Sequence, residues 1–103
     1  RNLENAIFNE LKRDNNDIYY YSNKNECDFL VKTGNRITNA IQVCFVLDED
    51  NREREINGLL DAMDTLKLKE GIILTFEQTE EIEMGDKKIK ILPAYRWILR
   101  RKG

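Results

Sequence analysis

The sequence contains no histidine, only two cysteines and a single proline among its 103 residues. Without histidine, mechanisms built on a Ser–His or Cys–His pair are excluded, and most zinc sites lose a usual ligand. Cys27 and Cys44 lie in stretches expected to form strands, so we interpret them as two free, buried thiols of a reducing compartment. No apolar run approaches the ~18 residues of a membrane span. We therefore expect a cytoplasmic protein without a membrane partner.

A large excess of charge is also missing. The chain has 17 Lys and Arg residues against 19 Asp and Glu residues, which gives a formal net charge of −2. Domains with a broad affinity for nucleic acid are usually basic or carry a strong basic stripe. Any contact with DNA would therefore be local, and the basic end formed by Arg96, Arg100, Arg101 and Lys102 is one candidate. That cluster would equally suit an acidic protein surface.

Apolar periodicity predicts three helices and six strands in one domain, residues 1–103. The predicted elements are a helix over 2–13, a turn at 14–17, strands over 18–21, 26–32 and 37–46, a helix introduced by a capping box of Asp50 and Glu53, a buried strand over 72–76, a hairpin of strands 81–84 and 88–92, and a short helix opened by Pro93. Gly58 suggests close packing of the second helix on the sheet. Gly71 is expected to release the chain from that helix. Because a crossover through a helix favours a parallel return, the fold class is α/β with a mixed sheet.

The hairpin of residues 26–46 could bring polar side chains together. Residues two apart on a strand share a face, so Gln42 and Cys44 point the same way. Asp28 lies opposite Gln42 only if the hairpin is centred on Asn35, which favours an odd-numbered loop, commonly one with a bulge. A tight Gly34–Asn35 turn would instead place Asp28 opposite Ile41. The register therefore decides whether a site exists here.

Several fragments, in this order and spacing, carry a family resemblance. They are Leu3-Glu4-Asn5-Ala6, Glu10-Leu11-Lys12-Arg13, Tyr19-Tyr20-Tyr21, Glu26-Cys27-Asp28-Phe29, Ile41-Gln42-Val43-Cys44, Arg52-Glu53-Arg54-Glu55-Ile56 and the closing segment 93–99. Together they resemble the domain of unknown function that closes many bacterial and archaeal P-loop ATPases, itself similar to the PD-(D/E)xK nuclease superfamily. The resemblance implies a restriction-endonuclease-like α-β-β-β-α-β core, extended here by a C-terminal hairpin and a short helix. It also implies a P-loop ATPase domain elsewhere in a longer chain.

The same resemblance implies a set of site residues. In the nucleases, a glutamate of the first helix, an aspartate of the second strand and an acid or glutamine of the third strand bind a divalent metal, and a lysine two residues later assists water. The matching positions here are Glu4, Asp28 and Gln42, with Glu4 and Asp28 as ligands of Mg²⁺ if the site is active. Cys44 stands in the lysine position, and a neutral thiol cannot stabilise a developing anion. Arg54, or its neighbour Arg52, is the candidate substitute cation.

Helical geometry gives an independent expectation for the first helix. At ~100° per residue, Glu4 falls close to the direction of Ile7 and Leu11, whereas Glu10 points well away from them. We therefore expect Glu4 to face the sheet and to need a partner there, either a metal ion or an arginine or backbone amide.

Three functions remain open at this point. The first is a catalytically degenerate nuclease-like domain that serves a larger ATPase for recognition or regulation and contacts DNA. The second is an active Mg²⁺-dependent nuclease with a migrated basic residue, and the third is a protein-interaction domain that does not touch nucleic acid. The five glycines are dispersed and none begins a Gly-x-x-x-x-Gly-Lys run, so ATP would be bound only through another domain.

Overall fold

A computed structural model describes residues 2–13, 17–21 and 27–102, and gives the backbone alone for residues 2, 17–21, 27, 28, 33 and 102. The elements are α1 (Asn2–Arg13), β1 (Asp17–Tyr21), β2 (Cys27–Thr33), β3 (Arg36–Val43), α2 (Arg52–Leu66), β4 (Glu70–Thr75), β5 (Glu80–Met84), β6 (Lys87–Pro93) and α3 (Ala94–Lys102). Their order along the chain is the predicted one. The turn was predicted over 14–17, but Asp17 already belongs to β1. Residues 14–16 and the predicted strand start at Glu26 lie outside the described residues.

The six strands form one mixed sheet in the order β1-β2-β3-β4-β6-β5. Neighbours β1/β2, β2/β3 and β5/β6 are antiparallel, whereas β3/β4 and β4/β6 are parallel. The crossover through α2 therefore returns the chain parallel to β3, as the sequence predicts. The α/β class with a mixed sheet is confirmed.

Helices cover both faces of this sheet, and each face has its own core. We call the side under α2 the α2 face and the opposite side the α1/α3 face. The core of the α2 face comprises Leu30, Ala40, Cys44, Leu47, Leu59, Ala62, Met63, Ile73, Ile89 and Ile91. The core of the α1/α3 face comprises Ile7, Leu11, Phe29, Val31, Ile41, Leu74, Ala94 and Trp97. Alternate residues of β2, β3 and β4 thus supply the two cores, as a strand covered on both faces requires.

The start of α2 differs from the sequence-based expectation. Asn51 is the N-cap residue and makes no capping hydrogen bond through its side chain, so the predicted box of Asp50 and Glu53 is wrong. The loop is instead folded around Asp48, whose Oδ1 accepts bonds from the backbone amides of Asp50 and Asn51 at 2.9 and 3.1 Å. Asp48 binds these amides two and three residues ahead, before the helix begins, and the turn that they form takes the place of a box.

Beyond the C-terminal end of α2, Gly71 has a different role from the predicted one. Lys67, not a glycine, ends the helix in the left-handed conformation with φ 60°. Gly71 lies within β4, where a Cβ atom would stand 2.7 Å from Met63 Sδ and 2.9 Å from Leu59 Cγ. The missing side chain therefore lets α2 pack directly on β4. Gly58 in α2 is buried, as its position in the sequence suggests.

None of the described helices is both long enough and apolar enough to cross a lipid bilayer.

Candidate functional site

The β2–β3 hairpin combines the two alternatives that the sequence left open. Its tip is the tight turn, because Thr33 pairs with Arg36 across Gly34, which has φ 64°. The register then shifts between Lys32 and Val31, and Phe29 pairs with Ile41. Continued by one residue, this register brings Asp28 opposite Gln42. A tight turn and the site-forming register therefore coexist, because a bulge separates them.

The bulge is formed by Thr38. Val31 pairs with Asn39 and Lys32 pairs with Ile37, so the register shifts by one residue at Thr38. Its hydroxyl lies 3.3 Å from the carbonyl oxygen of Val31, to which it donates a hydrogen bond. An extra residue in one strand changes which residues of the two strands meet beyond it. Beyond Thr38, this places Gln42 and Cys44 on the α2 face.

Gln42 is bonded to a carboxylate that the sequence-based search for a site did not select. Gln42 is 5% exposed, and its Nε2 donates to Oε1 of Glu55 at 2.8 Å. Glu55 lies in the first turn of α2, its side chain is 14% exposed, and its Oε2 lies 3.3 Å from Nη2 of Arg54. A helix start lying over the strand end brings Glu55 to the site. In the sequence, Glu55 resembled one more charge of a solvated helix start, and no local pattern pointed to its contact with Gln42.

Cys44 occupies a closed environment. The residue is 9% exposed, and its thiol donates to the carbonyl oxygen of Val46 with Sγ 3.2 Å from that oxygen. Nδ2 of Asn51 approaches Sγ at 3.6 Å and donates to the same Val46 carbonyl at 2.9 Å. The thiol is a free cysteine. Cys44, which stands where a nuclease carries lysine, therefore takes part in the hydrogen bonds that hold the loop of Val46 and Asn51 in place. The side chain of Cys27 lies outside the described residues.

The two candidate cations lie in different environments. Arg54 has a 70% exposed side chain and reaches Gln42 only through Glu55. Arg52 instead binds Glu80 of β5 through both terminal nitrogens of its guanidinium, with Nη1 3.1 Å from Oε1. These hydrogen bonds hold the pKa of Glu80 below its usual range and raise the pKa of Arg52. Arg54 is therefore the cation linked to the site, and Arg52 joins α2 to the hairpin.

Of the remaining predicted ligands, Asp28 is placed opposite Gln42 by the backbone register alone, and Glu4 lies elsewhere. The side chain of Asp28 lies outside the described part of the chain, and only its place in β2 is known. Glu4 belongs to α1, which packs Ile7 and Leu11 on the α1/α3 face, whereas Gln42 bonds to α2. Glu4 and Gln42 are thus held on opposite faces of the sheet.

Glu10 corrects the helical-face argument for α1. Glu10 is 6% exposed, whereas Glu4 is half-buried. Oε1 of Glu10 lies 3.3 Å from Nη1 of Arg13, and Oε2 lies 3.9 Å from Nε of Arg101 in α3. The sequence-based argument placed Glu10 only away from Ile7 and Leu11, and Glu10 is buried all the same because α3 packs beside α1 and covers that flank.

The side chains described around Gln42 do not by themselves form a Mg²⁺ site. Hard cations need several oxygen ligands, but Oε1 of Glu55 accepts the amide of Gln42 and its Oε2 faces Arg54. A metal ion would have to displace both partners. Among the side chains that the structure describes, no three Cys, Asp or Glu residues form a group that could hold a metal ion.

An exposed aromatic pair lies at the same edge of the sheet and was not predicted. Phe45 and Phe76 follow β3 and β4, their rings stack with centroids 4.9 Å apart, and they are 58% and 52% exposed. Phe76 was expected to be the last residue of a buried strand, which is wrong. Gln78 supports this edge, because its side chain bonds both the amide and the carbonyl of Leu47 at 2.8 and 2.9 Å. The ends of β3 and β4 thus expose two aromatic rings next to a loop that Gln78 holds in place.

Comparison with known proteins places this region within a longer relative. The chain is similar to an uncharacterized protein of Methanocaldococcus jannaschii, at 40% identity over 110 aligned residues that take in 96% of this chain and 24% of the relative. The chain therefore spans about a quarter of the length of the curated relative that it matches. No protein-family model matches the sequence, and no solved structure matches it.

Proposed function

We propose that this chain is a catalytically degenerate, restriction-endonuclease-like domain that serves recognition or regulation within a longer P-loop ATPase chain. The observed element order and the parallel β3/β4 pair support the nuclease-like core. The similarity to one part of a longer protein supports its place in a larger chain. ATP would be bound by another domain of that chain.

One observation carries the loss of catalysis. The residue in the lysine position, Cys44, is a buried thiol bonded to Val46, and the neighbouring ligand position, Gln42, is bonded to Glu55. A thiol in this place supplies no positive charge to a phosphate undergoing attack. Arg54 could bring its positive charge to a phosphate only by breaking its contact with Glu55. Its side chain is also 70% exposed to water, which screens that charge. These residues therefore stabilise the end of the sheet rather than catalyse a reaction.

Metal titration tests this proposal. Thermal unfolding is measured with and without about 10 mM MgCl₂ or MnCl₂, with KCl of equal ionic strength as the control; a site with a Kd of about 1 mM would stabilise the fold by about 1.4 kcal/mol. We expect no stabilisation beyond the KCl control and no cleavage of plasmid or single-stranded DNA. A metal-dependent rise, or cleavage, that is lost in Asp28→Ala would show an active site and refute the proposal.

A second variant tests whether the lysine position can be restored. Cys44→Lys recreates the acid-or-amide, any residue, lysine pattern, but it forces an ammonium group into a site that is 9% exposed. We expect it to lower the free energy of unfolding and to remain inactive, whereas Cys44→Ser should fold with a smaller loss. Cleavage by Cys44→Lys would show that only the lysine is missing.

The surroundings of the aromatic pair favour a protein partner at this edge over DNA. Residues 48–66 include seven Asp or Glu residues and two Arg residues, and Asp48, Glu49 and Asp50 are all exposed beside the loop that carries Phe45. This charge would repel a phosphate backbone. DNA, if bound at all, would contact α3, which has four basic residues and no acidic one. Salt-dependent binding to a duplex that is lost in Arg96→Glu/Arg100→Glu would support that contact.

A further inference from the structure

The outward side of α3 carries an apolar pair that the fold does not cover. Tyr95 and Leu99 are 56% and 64% exposed and, four residues apart, lie on the same side of the helix. Arg96 and Arg100 are also exposed and repeat this spacing. The inward side is occupied, since Trp97 is buried and the guanidinium of Arg101 lies 4.8 Å from its ring centroid. We call Tyr95, Arg96, Leu99 and Arg100 the α3 stripe.

A groove of complementary character lies between α2 and β5. It has a volume of about 650 Å³ and is lined by Glu49, Arg52, Glu53, Ile56, Asn57, Ile82 and Met84. Met84 is 49% exposed and provides apolar surface next to Ile56 and Ile82. Arg52 is paired with Glu80, which leaves the acidic side chains of Glu49 and Glu53 to set the charge of the rim. We call this the α2/β5 groove.

The stripe and the groove match in both apolar pattern and charge. A helix that docks in a groove typically inserts apolar side chains at i and i+4, as Tyr95 and Leu99 would, and opposite charges at the rim fix its orientation. The stripe belongs to the helix on the α1/α3 face, whereas the groove lies on the α2 face. One chain cannot join its own two surfaces, but two copies can.

We propose that the chain associates head to tail, with the α3 stripe of one copy seated in the α2/β5 groove of a second copy. Because the two surfaces lie on opposite faces of the sheet, two copies cannot exchange them reciprocally, so the contact is heterologous and its repetition builds a ring or an open filament rather than a two-fold dimer. Nine helical residues bury less than the ~800 Å² per partner of a standard interface, so the isolated contact is weak. The inference is independent of the proposed function.

Sedimentation velocity over a concentration series tests the proposal. We expect the mean mass to rise from that of a monomer to at least that of a dimer between about 10 μM and about 1 mM, the range of a weak interface. Arg96→Glu/Arg100→Glu, or Glu49→Lys/Glu53→Lys, should weaken association at least about tenfold by placing like charges together. Glu70→Lys/Asp86→Lys makes the same change in net charge as Glu49→Lys/Glu53→Lys, at two positions that do not line the groove, and should associate like the unaltered chain. A monomer throughout the series would overturn the proposal.

Two further samples separate head-to-tail contact from other modes. Arg96→Asp/Leu99→Asp removes the stripe and Met84→Asp alters the groove, so each variant alone should stay monomeric. Their equimolar mixture should stop at a dimer, because one stripe and one groove remain intact. Combining Arg96→Glu/Arg100→Glu with Glu49→Lys/Glu53→Lys in one chain should restore association. Failure of this charge-swapped chain to associate, or larger assemblies in the mixture, would refute the pairing. All of these positions are exposed, and unfolding curves would verify that each variant folds.

Discussion

Each face of the sheet holds a glutamate whose side chain is mostly shielded from water, at 7% exposure for Glu10 and 14% for Glu55, and the two are bonded in different ways. On the α1/α3 face, Glu10 is held between Arg13 and Arg101 and joins two helices. On the α2 face, Glu55 bonds the neutral amide of Gln42 at a strand end and has only the exposed Arg54 as a cation. Burial alone therefore does not identify a functional acid. Glu10 has the partners of a structural ion pair, whereas Glu55 lies where the predicted site is.

The largest difference between the faces should appear at Gly71, which only the α2 face needs. Gly71→Ala places a Cβ atom 2.9 Å from Leu59 Cγ, and Leu59 is fully buried, so that atom cannot move away freely. We expect urea unfolding to show a loss of about 1–3 kcal/mol, the usual cost of overpacking. Glu70→Ala, at the exposed neighbouring position, should change stability by less than about 0.5 kcal/mol. Equal stabilities would mean that α2 does not approach β4 this closely.

A smaller effect compares the two glutamates directly. Glu10→Gln removes the charge that two arginines share, and we expect a loss of about 1–2 kcal/mol because the side chain is 7% exposed while Arg13 is largely solvated. Glu55→Gln keeps an oxygen that can accept the amide of Gln42, so its loss should stay below about 1 kcal/mol. Denaturant unfolding at neutral pH ranks the two variants. The reverse order would assign the stronger electrostatic role to the α2 face.

The smallest effect concerns the ion pair that fastens α2 to β5. Arg52 lowers the pKa of Glu80, so this contribution is present above the unfolded-state pKa of about 4.3 and is lost as pH falls through the lower folded-state value. The side chains are 40% and 44% exposed, which limits the effect to less than about 1 kcal/mol. The stability difference between the unaltered chain and Arg52→Gln should be constant above about pH 5 and shrink below about pH 4. Arg54→Gln, which leaves Glu80 untouched, should lack this dependence on Glu80. A difference that is independent of pH would show that the pair is not formed.

Local patterns in the sequence were sufficient for most of the fold. Helical spacing located α1 and α2, and the glycine turns located both hairpins, because these features depend on neighbouring residues. The misplaced start of α2 has a local cause at Asp48 and a distant one at Gln78. The loop before α2 is folded around Asp48 and tied to Gln78 across the strand ends, and no pattern within residues 48–53 reports that contact.

The site was predicted in part for the same reason. The side chains of Gln42 and Cys44 share a face because alternation along a strand is local. Glu55 was missed because its role depends on where α2 lies over β3, and Glu10 was misjudged because α3 covers α1 only in the folded chain. Asp28 remains a prediction, since the register brings it opposite Gln42 but its side chain is not described.

The bulge at Thr38 also sets where this hairpin can change in length. Thr38 is the one extra residue between the tight turn and the pairs formed by Asn39, Ala40 and Ile41. Deletion of Thr38 should therefore leave a regular hairpin in which these pairs persist and Gln42 stays under α2, whereas a residue inserted between Ala40 and Ile41 would exchange the faces beyond it and place Ile41 under α2. Related chains that retain this hairpin should therefore differ in length at the bulge and not between Asn39 and Gln42.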